Sequence, residues 1–131
     1  MAKLIHDQGK RKKAIARATL GTGKGRIRIN GMDLHNFSSE IMRLRVSEPL
    51  ILAGDIAKGI DINISVRGGG VNGQADACRL AIARALTQHQ NSLRKVFMDY
   101  DRLLLVADKR QNETSKPNDS KPRAKRQKSY R

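Results

Sequence analysis

The sequence predicts a domain of mixed α and β structure followed by an extended basic arm. Residues 11–20 and 60–67 alternate apolar and polar side chains with the period of a strand. Residues 75–89 place Cys78, Ala81, Ile82, Ala85 and Leu86 at the spacing of a buried helical stripe. After Val106 there is no Leu, Ile, Val, Met or Phe. That last stretch cannot bury enough apolar surface to offset the entropy of ordering it. The division expected is therefore a domain over 1–108 and a tail over 109–131. The whole chain, 131 residues, suits one domain better than two.

Taken in order, 11–20 puts Ala14, Ala16, Ala18 and Leu20 on one face and Lys13, Ile15, Arg17 and Thr19 on the other. The glycines of 21–25 suggest a tight hairpin with Lys24 at its tip. Residues 26–30 then pair Ile27 with Ile29 on one face and Arg26 with Arg28 on the other, giving a ribbon with a cationic solvent side. Asn30-Gly31 is a further turn. Residues 38–53 read as helical, with Ser38 or Ser39 as cap, Gly54 as stop, and Pro49 kinking or splitting the segment into two short pieces. The clearest strand is 60–67, with Ile60, Ile62, Ile64 and Val66 on one side. The glycine loop 68–74 leads into the helix at 75–89, a short helix is expected near 91–98, and a last strand near 103–107. Many alanines in the long helix allow it to dock closely on a sheet.

Charge is unevenly placed. The chain has 27 Lys and Arg against 12 Asp and Glu, a formal net charge of +15. Residues 1–28 contribute +8 and residues 109–131 contribute +7, while 29–108 balance. Free protein of this kind repels itself and seeks a polyanion. A membrane surface is a poor match, because the tail lacks the bulky apolar residues of an amphipathic anchor. No stretch approaches the roughly 20 apolar residues of a spanning helix. The opening segment has only Leu4-Ile5 as an apolar pair, and the lone Cys78 has no partner for an internal disulfide. Both point to an intracellular chain. Nucleic acid is the remaining partner. The four aromatics, Phe37, Phe97, Tyr100 and Tyr130, make no stacking platform for single strands. No helix-turn-helix for DNA is evident. Folded RNA, recognised by backbone charge and shape, fits best.

Enzyme-like patterns have simpler readings. Gly68, Gly70 and Gly73 fit G-x-G-x-x-G between a strand and a helix, the setting of a dinucleotide site. The acidic residue expected at the end of a next strand, about 20 residues on, has no counterpart. The competing readings are a turn needing close backbone approach, or a helix N-terminus offering N–H groups to a phosphate, with Gln74 adding a donor. GTGKGR at 21–26 lacks the Gly-Lys-Ser/Thr of a P-loop. His6, His35 and His89 stand apart without metal-ligand spacing, and Cys78 sits on an apolar stripe. No cofactor, metal or catalytic group is expected.

Several segments resemble one family in the right order. GKRKKAIARATL (9–20), GKGRIRING (23–31), SVRGGGVNGQADA (65–77) with LAIARAL (80–86), YDRLLLVADKRQ (100–111) and AKRQKSYR (124–131) are similar to the ninth protein of the small ribosomal subunit, the universal S-nine family. The ending KRQKSYR resembles the archaeal and eukaryotic branch, and the short amino terminus leans archaeal. The resemblance implies an α+β, two-layer fold like domain two of ribosomal protein S-five, with helices on one face of a mixed four-stranded sheet. It implies a non-enzymatic role in the head of the small subunit, in the cytoplasm, beside small-subunit rRNA and neighbouring head proteins. The rRNA contacts expected are Lys10, Arg11, Lys12, Lys13, Arg17, Lys24, Arg26, Arg28, Arg67, Gly69, Gly70, Gln74, Arg110, Lys121, Arg123, Lys125 and Arg126. By the same resemblance Lys128, Ser129, Tyr130 and Arg131 reach the anticodon stem-loop of the peptidyl-site tRNA. Lys109 departs from the family's usual proline, which predicts a less rigid turn where the tail leaves. The alternatives are a dinucleotide-dependent enzyme and a free-standing RNA chaperone or DNA-compacting protein.

Overall fold

The computed structural model describes residues 3–130, so Arg131 lies outside the described residues. A mixed sheet forms from β1 (Ile5–Arg11), β2 (Ala14–Thr22), β3 (Ile27–Ile29), β4 (Met32–Asp33) and β5 (Ile60–Arg67). The helices are α1 (Glu40–Ala53), α2 (Asp55–Lys58), α3 (Val71–His89) and α4 (Leu93–Tyr100). The sheet order is β1-β2-β5-β3-β4, with β3 parallel to β5 and every other pair antiparallel. The architecture is the expected α+β one; the sheet has five strands rather than four, because β1 and the two residues of β4 join it while the expected last strand does not form. Asn30 (φ 51) and Gly31 (φ 83) make the turn between them, both in the left-handed region that such a tight hairpin needs.

Alternation sorts the sheet into a covered and an open face. Ala14, Ala16, Ala18 and Leu20 of β2 and Ile60, Ile62, Ile64 and Val66 of β5 are buried under the helices. Ala75, Ala77, Cys78, Ala81, Ile82, Ala85 and Leu86 of α3 complete that core. Small alanines on both partners bring helix and sheet backbones close. Gly9 of β1 takes this furthest: a Cβ there would lie 2.7 Å from the backbone nitrogen of Ala81.

Several expectations are corrected. The ribbon joining 11–20 to 26–30 does not form, because β5 lies between β2 and β3. The glycine segment after β2 instead carries the chain across the end of β5. The true hairpin joins β1 to β2 through Lys12 (φ 53) and Lys13. Strand β1 escaped sequence reading because its covered face is Ile5, Asp7, Gly9 and Arg11, with only one large apolar residue. Pro49 does not split α1; it is buried, and its packing opposes the cost of about 3 kcal/mol for an interior proline. The segment expected as a last strand forms a 3-10 turn, Arg102–Leu104, with Leu104 buried against the helices. Asp101 caps that turn by accepting from the backbone N–H of Leu103 (2.9 Å). No described residue after Leu104 lies in a helix or strand. Helix α3 begins at Val71, four residues earlier than its periodicity suggests, and Ser39 flanks α1 without a side-chain cap bond.

Candidate nucleic-acid interface

The helix-free face of the sheet gathers cations from four strands. Register places Lys10 opposite Ile15, and Ile15 opposite Arg67. Gln8 lies opposite Arg17, Arg17 opposite Ser65, and Arg28 opposite Asn63. Lys10, Lys13, Arg17, Arg28 and Arg67 are all exposed. Lys13, Ile15, Arg17, Ser65, Arg67 and Gly68 line one shallow groove on this face. Adjacent strands are about 4.8 Å apart, so the cations are spread over the face rather than gathered into one point charge.

The acids on this face are already engaged. Asp33 sits 3.7 Å from the Arg28 guanidinium. The Asp61 carboxylate accepts from the backbone N–H groups of Lys24 (2.8 Å) and Arg26 (2.9 Å). These bonds, Arg26 first and Lys24 second, hold its pKa below the usual carboxylate value. The side chains of Lys24 and Arg26 belong to exposed residues at the same end of the sheet.

At the opposite end, the β1–β2 turn meets the start of α3. Lys12, Lys13, Gly69, Gly70, Asn72 and Asn112 share one groove there. Gly70 flanks the helix without any side-chain cap, so first-turn N–H groups remain available to an anion. Gly68 (φ 79) and Gly69 (φ 65) make the bend, and a Cβ on Gly69 would press on Ala14 at 3.0 Å. Gln74 spends its amide donor on the Gly68 carbonyl (3.1 Å), bracing the loop rather than facing outward. The glycine pattern thus serves a strand-to-helix turn. No strand follows α3 among the described residues, so the second half of a dinucleotide unit is missing.

One expected contact, Arg11, turns inward, while Arg110 and Arg123 stay exposed but paired with acids. Arg11 has a side chain only 16% exposed, on the covered face. Its guanidinium lies 2.8 Å from Asp108 and 3.8 Å from Asp76. Arg110 also donates to Asp108, through Nε (3.0 Å) and Nη2 (2.7 Å). Bonds from Arg110, with Arg11 beside it, push the Asp108 pKa down to about 2. The same pairing raises that of Arg110. The tail root that lacks the family's usual proline is therefore held by ion pairs. Farther along, Arg123 pairs with Glu113, whereas Lys121, Lys125, Arg126, Lys128, Ser129 and Tyr130 are exposed. Sequence reading missed the acids that organise these groups. Asp61, Asp76 and Asp108 are far in sequence from most of their partners, and nothing local marks them.

The family model described as ribosomal protein S9/S16 matches residues 9–131. The chain belongs to the ribosomal protein S9/S16 family. It is similar to the small ribosomal subunit protein uS9 of Methanococcus maripaludis, with 46% identity over 133 residues, covering 98% of this chain and 99% of the relative. Membership makes the chain a structural component of the ribosome and not an enzyme. It also accords with the archaeal leaning of the sequence. For this S9-family chain the buried Cys78, whose pKa burial pushes up to about 12, is part of the scaffold.

Proposed function

We propose that this S9-family protein binds small-subunit rRNA through the open face of its sheet and its two basic ends, as a constituent of the cytoplasmic small ribosomal subunit. One observation carries the reading. Five exposed cations, Lys10, Lys13, Arg17, Arg28 and Arg67, share a face whose acids are already satisfied. Phosphates of a folded RNA replace counterions at such a surface, and the released ions drive binding. Lys12 with the uncapped start of α3 at Gly69 and Gly70 adds a phosphate site at one end, and Lys24 and Arg26 add charge at the other. Arg11 and Gln74 act through the parts they brace, whereas Arg110, its side chain 76% exposed, is assigned to rRNA directly. The covered face, by contrast, is committed to the protein's own core.

The tail supplies a second contact. Residues 109–131 include nine Lys and Arg and no large aliphatic residue. Extended, they span at most about 75 Å, enough to leave the domain. We assign Lys121, Arg123, Lys125 and Arg126 to rRNA, and Lys128, Ser129, Tyr130 and Arg131 to the anticodon stem-loop of the peptidyl-site tRNA. Neighbouring head proteins of the small subunit complete the set of partners.

Two measurements test these assignments separately. Replacing Arg17 and Arg67 together by Ala lowers the slope of log affinity against log salt for folded small-subunit rRNA by about 2, one per phosphate contact. An unchanged slope rejects the sheet face. Deleting residues 125–131 leaves incorporation into subunits largely intact and speeds dissociation of peptidyl-site tRNA. Equal dissociation rates with and without the deletion reject the tail assignment.

A further inference from the structure

We propose that Asp61 is a positioning residue for rRNA contact, its carboxylate serving as an internal anion around which the backbone of the 23–26 loop folds to present Lys24 and Arg26. This rests on the reading that the open face and its rim meet rRNA. An acid beside a phosphate-binding surface is at first sight a defect, since it repels the ligand. The geometry gives it another role.

Asp61 opens the open-face row of β5, opposite Gly21 of β2. Its Oδ1 receives two N–H donors from one short loop, Lys24 at 2.8 Å and Arg26 at 2.9 Å. Backbone N–H groups of one short turn converging on one oxygen form an anion-binding concavity of the kind that elsewhere cradles phosphate. Here the anion belongs to the protein. The rest of the loop is built around it. A Cβ on Gly23 would overlap the Asp61 carboxylate, so only glycine lets the chain wrap so closely. The Gly23 N–H donates to the Gly59 carbonyl (3.0 Å), and the Arg26 carbonyl accepts from Ile62 (2.9 Å). Gly25 takes φ 87, the left-handed conformation that turns the loop between its two donors.

The loop is thus pinned to both sides of β5 and at its centre. With the N–H groups of Gly23, Lys24 and Arg26 satisfied internally, it meets the RNA through the Lys24 and Arg26 side chains. Their ordering cost falls on folding rather than on binding.

Charge and position make opposite forecasts for removing Asp61, which gives a decisive test. If Asp61 were only a negative charge, Asp61→Ala would tighten binding to small-subunit rRNA. If it positions the loop, Asp61→Ala weakens binding. Its salt slope also falls by up to about 2, as two phosphate contacts are lost. Asp61→Asn keeps a neutral acceptor oxygen and lands between wild type and Asp61→Ala. The full-length protein is titrated onto folded small-subunit rRNA at several salt concentrations, alongside a Lys24→Ala/Arg26→Ala double variant and a triple variant adding Asp61→Ala. Circular dichroism establishes that each variant is folded. We expect the double variant to match the reduced slope of Asp61→Ala, and the triple to show no further loss. Tighter or unchanged binding by Asp61→Ala, with a normal effect of the double variant, overturns the positioning role. No effect of the double variant overturns the underlying contact of this rim with rRNA, and the positioning role with it.

Discussion

Replacing Gly9 by Ala tests the packing that sets α3 on the sheet. The added Cβ would lie 2.7 Å from the backbone nitrogen of Ala81 and 3.0 Å from the Leu80 Cβ, and nearer still to the Ala77 carbonyl oxygen. Carbon contacts are comfortable at about 3.5–4.0 Å, so helix and strand must separate by roughly 1 Å. That shift is resisted. Arg84 of α3 donates to the Gln8 carbonyl (3.0 Å) and Gln88 of α3 donates to Asp7 (2.5 Å), both on β1. Overpacking of this kind costs about 1–3 kcal/mol. Gly9 has no positive φ, so Ala gains back about 0.4–1 kcal/mol through a less disordered unfolded chain. The backbone atoms it meets cannot rotate away, which favours the upper end of the cost. The net expectation is a loss of about 2 kcal/mol, or roughly 6–8 °C in melting temperature. Urea unfolding followed by circular dichroism measures it. Gly59→Ala is the control, since a Cβ there meets nothing within 4 Å, and it should stay within about 0.5 kcal/mol of wild type. A Gly9→Ala midpoint indistinguishable from that control would refute the close-docking argument.

Further expectations concern the ion pairs and the thiol. Arg11→Ala should lower the urea midpoint, because Asp108 and Asp76 lose a partner, while the salt slope for rRNA stays unchanged; a slope reduced by about 1 would show that Arg11 reaches a phosphate instead. Asp108 has its folded pKa depressed to about 2 from the usual 3.8, so its contribution is complete above the higher value and lost as pH falls through the lower. Acid unfolding of Asp108→Asn should therefore show a weaker pH dependence between those two values, and an identical acid limb would argue against the clamp. Cys78 is fully buried and its thiol pKa is pushed up to about 12, so iodoacetamide should label it at the rate of unfolding. Rapid labelling of folded protein would contradict its place under the sheet.

The parts that sequence determined are those where one residue type has one use. An alternating strand such as 60–67 or a helical stripe such as 78–86 must hide one face wherever it lies, so both elements were legible. The charge imbalance likewise declared a polyanion partner, since +15 has no internal remedy. Order in the sheet was decided elsewhere. Residues 14–22 and 27–29 are near neighbours in the chain, yet β5 enters between them and pairs with both. Local turn chemistry could not forbid the simpler hairpin; the pairing of β5 with both β2 and β3 did. Strand β1 was unreadable because Asp7 and Arg11, on its covered face, are satisfied by Gln88 and by Asp108, contacts spanning most of the chain.

The same division runs through the interface. Sequence alone fixed how much positive charge the molecule carries and at which ends. Tertiary structure decided which cations are free to meet a phosphate, because an arginine such as Arg11 is spent as soon as the fold brings a carboxylate to it. Coulomb energy depends on distance, and the distances between Arg11 and Asp108, or Asp61 and the 23–26 loop, exist only once the sheet has closed.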